Sequence, residues 1–126
     1  MGILGMWKAV RGQAQIPSAK DAGVVTLDVE LKCLDASERI GAFDDPHEGH
    51  DAREDYARLV SDAVKEAFAI EQDADRDVAI RYIIDVSCKA KDLRTAEALI
   101  SKLALEKNRQ SAAQAVSEAQ LQHKAQ

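Results

Sequence analysis

The densest group of side chains that could do chemistry lies in residues 41–51, where two histidines stand among several carboxylates. Imidazole and carboxylate groups together suit zinc or a similar divalent ion. His47 and His50 could chelate from one turn, with Asp51 as a third ligand. The spacing matches no established zinc motif, and catalysis would also require an open coordination position in a pocket. We therefore expect a solvated acidic loop, and a small metal-dependent enzyme is the second alternative function.

Asp85 is the acidic residue that lies within the most apolar segment of the chain. A buried carboxylate must find a partner or shift its pKa. Arg81 lies four residues before Asp85, and Lys89 lies four residues after it. This spacing predicts an ion pair on a helix surface rather than a catalytic acid.

The two cysteines, Cys33 and Cys88, both lie in apolar segments. Two cysteines in a chain of 126 residues do not make a disulfide framework, so we interpret both as reduced thiols of a cytoplasmic protein. The sequence has no CxxC pair, glycine-rich phosphate loop, GxSxG motif or HExxH motif. It therefore predicts a protein that is not an enzyme and that needs no cofactor.

Length and composition favour one helical domain. The 126 residues carry a net charge of -5, and 46% of them are hydrophobic, which is normal for a folded chain. Alanine, the best helix former, is abundant. Aromatic residues make up only 4%, and glycine and proline are few, which disfavours a β-sandwich or barrel. No apolar run approaches the ~20 residues that a membrane span needs.

The spacing of apolar residues predicts an all-α domain over residues 18–120, with four to five helices in antiparallel hairpins. We expect an N-terminal appendage and linker over residues 1–17, an acidic loop at 41–51 and a mobile tail over 121–126. Ten apolar residues on facing helix stripes should form one contiguous core. They are Leu59, Val60, Val64, Phe68, Ile80, Ile83, Ile84, Leu99, Ile100 and Leu103.

Residues 24–34 fit two structures. Strict alternation of apolar and polar residues is typical of a half-buried strand, so a single β-strand is possible here, pairing with a partner edge. As a helix, the segment has two apolar stripes on roughly opposite sides and needs neighbours on both. We favour the helix, because no second alternating run offers a strand partner. The first stripe comprises Val24, Leu27, Leu31 and Leu34, and the second comprises Val25, Val29, Cys33, Ala36 and Ile40.

When the sequence is aligned with itself so that Ala63 falls on Ala96, a faint match appears. We call this displacement the repeat offset. A period in the low thirties is typical of helix–turn–helix repeats. After a short turn, Leu93 and Ala96 provide a large and a small residue three positions apart. Residues 78–106 thus resemble the middle of a tetratricopeptide-type repeat, although Lys91 stands where that family has its turn glycine. The resemblance implies protein binding through a concave helical face.

Residues 1–17 suggest a partner-binding segment, because their apolar residues lie at helical spacing beside Lys8 and Arg11. A partner would be another protein or a second copy of the chain, and tryptophan is enriched at such interfaces. A membrane is not expected, because a short helix with two basic residues binds lipid weakly. The candidate partner-binding residues are Ile3, Leu4, Met6, Trp7 and Val10. We therefore expect a non-enzymatic, self-associating interaction or scaffold module.

The first alternative function is nucleic-acid binding by a helix–turn–helix drawn from residues 95–103 and 109–119. The small basic excess of the C-terminal half and the acidic N-terminal half, which would repel phosphate, disfavour a nucleic-acid partner. The second helix would offer four polar residues to a major groove: Arg109, Gln110, Ser111 and Gln114.

Overall fold

A computed structural model describes the backbone of residues 19–125 and the side chains of residues 23–122. Over this range the chain forms five α-helices and no strand, so the prediction of an all-α fold is confirmed. The helices are α1 (Ala19–Ile40), α2 (Gly49–Phe68), α3 (Asp73–Lys89), α4 (Leu93–Ile100) and α5 (Glu106–Ala125).

The segment 24–34 lies within α1 and is not a strand. The second of its two apolar stripes explains this outcome, because Val29, Cys33 and Ala36 are buried at helical spacing. One side of the helix is thereby held in the core. The alternation along the sequence arises because the other stripe lies on the opposite side.

The helices form two layers around α3. The helix α3 contacts all four others, while α1 packs on α2 and α3, and α5 packs on α3 and α4. The odd-numbered helices therefore lie side by side, and α2 and α4 lie behind them. This is the connectivity of stacked helical hairpins.

Nine of the ten predicted core residues belong to one apolar cluster or pack against it. Ile80, Ile83 and Ile84 are fully buried on α3, and Ala63 and Ala96 pack with them on the second layer. The prediction was wrong for Phe68, whose side chain is 45% exposed at the last residue of α2. At a helix end the apolar period continues in sequence, but the neighbouring helix no longer covers it.

Asp77 holds the turn before α5 against α3. Its buried carboxylate accepts hydrogen bonds from the backbone N–H groups of Ala104 (2.8 Å) and Leu105 (3.0 Å), and from the Asn108 side-chain amide (2.8 Å). Burial raises the pKa of Asp77, but these bonds and the nearby Arg76 outweigh it, so the pKa lies below its usual value. Asn108 lies in the first turn of α5, which begins at Glu106.

The repeat offset recurs in backbone contacts. The same offset separates Asp73, the first residue of α3, from Glu106, the first residue of α5. It also separates Arg76 from Arg109. Each of these guanidinium groups donates to two backbone carbonyls in the preceding turn and pairs with the carboxylate three positions before it. The two arginines therefore make equivalent contacts in the turns before α3 and α5.

The turn between α3 and α4 is a Schellman motif. The N–H of Asp92 bonds to the Ser87 carbonyl (2.9 Å), and the N–H of Lys91 bonds to the Cys88 carbonyl (3.0 Å). This motif requires one residue in the left-handed backbone conformation, and Lys91 adopts it with a φ of 62°.

Lys91→Gly is expected to stabilise the domain by about 0.5–1 kcal/mol, because glycine adopts the left-handed conformation without the steric cost that a β-carbon brings. Urea unfolding of the two proteins measures the change. As a control, Lys65→Gly within α2 should cost about 0.5–1 kcal/mol, since helical φ favours lysine there. A loss of stability in Lys91→Gly would contradict the expectation.

Candidate protein-binding surface

A line of large apolar side chains remains exposed on α1. Val24, Leu27, Leu31 and Leu34 are 53%, 52%, 50% and 56% exposed, and we call these four residues the α1 stripe. Their spacing of three, four and three residues is that of the core positions of a coiled coil. The buried residues of α1 lie on the opposite side, so the stripe faces away from α2 and α3.

Carboxylates border the α1 stripe on both sides. Asp28 and Asp35 are exposed on the side toward α2, and Glu30 is partly exposed on the side toward α3. These are the positions that in a coiled coil decide the partner by charge. Two basic residues of the same helix are engaged elsewhere: Lys32 pairs with Glu66 (2.6 Å), and Arg39 pairs with Asp55 (3.4 Å).

The Glu30 side of the stripe opens into a shallow groove between α1 and α3. Leu34 lines both the stripe and the groove, and the other wall is formed by Tyr82, Asp85 and Lys89 of α3. Lys89 donates a hydrogen bond across the groove to Ser37. The groove therefore extends the apolar surface of the stripe toward α3, and two of its polar residues, Asp85 and Lys89, already have partners.

The predicted partner-binding residues Ile3, Leu4, Met6, Trp7 and Val10 lie outside the described residues. Of the two stripes predicted for a helix at residues 24–34, the first is about half exposed among residues 23–122.

The predicted metal ligands are brought together only in part. His50, Asp51 and Glu54 lie on consecutive turns at the start of α2, with ligand atoms within 4.8 Å of one another. All three are exposed, and His50 Nε2 already lies 3.5 Å from a Glu54 carboxylate oxygen. His47 is not part of this group. Exposed acidic residues commonly come together without a metal, so this cluster by itself does not indicate a metal site.

Replacing His47 and His50 together with alanine is expected to leave the melting temperature unchanged, whether or not zinc is added. The reason is that exposed side chains on one helix turn provide no closed coordination shell. Differential scanning fluorimetry with and without zinc checks this. If zinc raised the melting temperature of the native chain but not of the double variant, the loop would be a metal site, because a ligand that binds only the folded state stabilises it.

The loop between α1 and α2 is shorter than the predicted acidic loop of residues 41–51, because α2 begins at Gly49. Asp45 accepts hydrogen bonds from the backbone N–H groups of His47 (2.7 Å) and Glu48 (2.9 Å), which lower its pKa. Phe43 meets Tyr56 edge-on, with ring centroids 5.6 Å apart. A β-carbon at Gly49 would lie 2.5 Å from the Phe43 carbonyl oxygen, so glycine permits this close approach.

The titratable residues within the apolar segments behave as structural groups. Asp85 is exposed and pairs with Arg81 at 2.9 Å, which confirms the predicted helix-surface ion pair, although Lys89 turns instead to Ser37. Both cysteines are free thiols, and burial raises the pKa of Cys33 to about 12. A raised pKa keeps a thiol protonated and unreactive at neutral pH.

Three of the four side chains assigned to a helix–turn–helix contact are engaged within the chain. Arg109 bonds to backbone carbonyls and to Glu106, Gln110 bonds to Glu106 (3.1 Å), and the Ser111 hydroxyl accepts from Arg81 (2.9 Å). A recognition helix presents such groups to bases instead.

Sequence reasoning missed two features that the structure makes prominent. Asp77 stands near the start of an apolar helix, and the sequence gives no hint of its partners beyond the next helix. The acidic borders of the α1 stripe could have been predicted from the sequence. If the stripe residues are assigned to the core positions of a coiled-coil heptad, Asp28, Glu30 and Asp35 fall on the flanking positions.

None of the helices that the structure describes combines the length and apolarity needed to cross a membrane. Comparison with protein-family models, curated proteins and solved structures found no match to this chain.

Proposed function

We propose that the chain is a non-enzymatic protein–protein interaction module, and that it binds a helix along the α1 stripe. One observation carries the proposal: four large apolar side chains lie about half exposed in a continuous line on a helix whose other side is buried. Single exposed leucines are normal on protein surfaces. A contiguous apolar line with polar borders is typical of an interface.

The proposed architecture is a short stack of tetratricopeptide-like hairpins. The repeat offset between Arg76 and Arg109, and the left-handed residue at Lys91, support it. In such a stack each hairpin covers the face of the next, and the end faces need a cap or a partner. The α1 stripe lies on such an end face, on the first helix that the structure describes.

The charges around the stripe define the chemistry of the partner. Two α1 stripes packed on each other, in either direction, would bring Asp28, Glu30 and Asp35 of one copy against the same acids of the other. Like charges at these positions oppose pairing. We therefore propose a partner helix whose apolar face is bordered by lysine or arginine, and we place the module in the cytoplasm, where free thiols such as Cys33 stay reduced.

The double variant Leu27→Asp with Leu31→Asp tests the proposal. Both positions are exposed, so the fold should persist, which far-UV circular dichroism checks. Quantitative affinity capture should show association with a partner protein that the double variant loses severalfold. Leu121→Asp is the matched control, because Leu121 is 67% exposed on α5 and lies outside the stripe. If native and double-variant chains associated equally with the same proteins, the proposed function would be wrong.

A further inference from the structure

The chain itself contains a segment with the chemistry that the α1 stripe requires. Residues 1–18 include Lys8 and Arg11 and no acidic residue, in a chain whose net charge is -5. Within the same segment, apolar residues recur at the i, i+3, i+4, i+7 spacing that marks one face of a helix. These residues are Ile3, Met6, Trp7 and Val10.

Resting on the function proposed for the α1 stripe, we infer that residues 3–11 pack on the stripe of the same chain as an amphipathic helix. The segment is then a built-in occupant of the interaction surface. An external partner helix binds by displacing it, so the apolar surface is covered when no partner is present.

The chain length between the two elements allows this placement. The stripe extends ~15 Å from Val24 to Leu34 at ~1.5 Å per helical residue, and a helix of residues 3–11 is of similar length. Residues 12–18 can span up to ~25 Å when extended, which is ample for a reversal of direction before α1 begins at Ala19. An antiparallel arrangement places Val10 near Val24 and Ile3 toward Leu34.

Charge complementarity favours this occupant over a second α1 stripe. On a helix of residues 3–11 the apolar face is centred near Ile3 and Val10, and at ~100° per residue Arg11 borders it, about 90° from its centre, whereas Lys8 lies on the far side. Arg11 can lie beside the acidic border of the stripe, where the antiparallel placement brings it closest to Asp28. Exposed pairs of this kind contribute modestly to stability, but they discriminate strongly between a basic and an acidic partner.

The short connection favours the segment of the same chain over that of another copy. Two elements joined by a short linker meet at an effective concentration in the millimolar range, on the order of 1 mM. A segment from a second chain reaches that concentration only in very concentrated protein. At ordinary concentrations the intramolecular contact therefore dominates.

Trp7 is the only tryptophan of the chain and reports directly on this contact. In the full-length protein, packing on the stripe should shift Trp7 emission to the blue and reduce acrylamide quenching severalfold relative to N-acetyltryptophanamide. Leu27→Asp with Leu31→Asp should restore quenching to nearly the free value. Leu121→Asp should leave it protected. Quenching that equals the free value in the native chain would overturn the inference.

A second pair of variants tests the charges without touching the apolar face. Arg11→Glu should raise Trp7 quenching, and adding Asp28→Lys should lower it again. Rescue by charge reversal supports contact between Arg11 and the acidic border, because a purely apolar contact would not respond. Unchanged Trp7 quenching in both proteins would contradict the placement of Arg11 beside the acidic border of the stripe.

Concentration separates the intramolecular contact from exchange between copies. Trp7 should stay protected at dilutions where sedimentation shows a monomer. Protection that appears only in dimers would overturn the inference in favour of exchange between chains. Failure of the inference is distinct from failure of the proposed function: a freely quenched Trp7, with association still lost in the stripe double variant, leaves the function standing.

Discussion

Ile83→Ala is expected to lower the free energy of unfolding by about 2–5 kcal/mol. Ile83 is fully buried on α3, the helix that contacts all four others. Removing its outer carbons loses the transfer free energy of those groups and leaves a cavity that rigid neighbouring helices cannot close. Equilibrium urea unfolding, followed by circular dichroism, measures the change.

Val78→Ala is the matched control on the same helix. The Val78 side chain is 47% exposed, so its truncation should cost no more than about 0.5 kcal/mol. A loss below about 0.5 kcal/mol for Ile83→Ala as well would mean that α3 is not the centre of the core. The packing of both layers described above would then be incorrect.

Asp77→Ala is expected to cost about 2–4 kcal/mol, because it removes a buried acceptor and leaves its donors without partners. Two of those donors are the backbone N–H groups of Ala104 and Leu105, which lead into α5. The loss should therefore loosen α5 from α3. Hydrogen exchange of the amides of residues 104 and 105 should accelerate most. As a control, Asp85→Ala removes only an exposed ion pair and should cost about 0–1 kcal/mol.

The contribution of Asp77 should depend on pH in a defined direction. Its pKa is lower in the folded chain than in the unfolded chain, so its charged form stabilises the fold. That stabilisation is complete above the unfolded pKa, about 3.9 for aspartate, and is lost as the pH falls through the lower folded value. The stability difference between the native chain and Asp77→Asn should therefore shrink on acidification. A difference that is constant from neutral to acidic pH would contradict the assignment.

Helical periodicity was sufficient to predict the all-α fold and most of its core, because each helix buries one face at regular spacing. Periodicity failed where burial depends on a neighbour's length, as at Phe68. It also could not decide α1, where two apolar stripes imitate the alternation of a strand. That ambiguity arose because one stripe stays exposed: α1 carries more apolar residues than it buries against α2 and α3.

Contacts that join distant residues were beyond sequence reasoning. Asp77 and its partners before α5 lie far apart in sequence, and only packing of α3 against α5 brings them together. Lys91 was recognised as the residue in place of a turn glycine, but its left-handed conformation follows from the Schellman bonds that the turn makes. For the metal ligands, sequence proximity was a poor guide, because His47 and His50 fall on different elements.

The claim that the α1 stripe is an interaction surface is tested most directly by a photo-reactive phenylalanine in place of Leu31 of the full-length chain. Irradiation should give one discrete adduct on a basic, apolar segment, either residues 1–18 of the same chain or a bound partner, and mass spectrometry identifies which. The adduct should disappear when Leu27→Asp is added. The same probe at Leu121 should give none. If the probes at Leu31 and Leu121 both reacted only with solvent, the stripe would contact no helix, and the account would be contradicted.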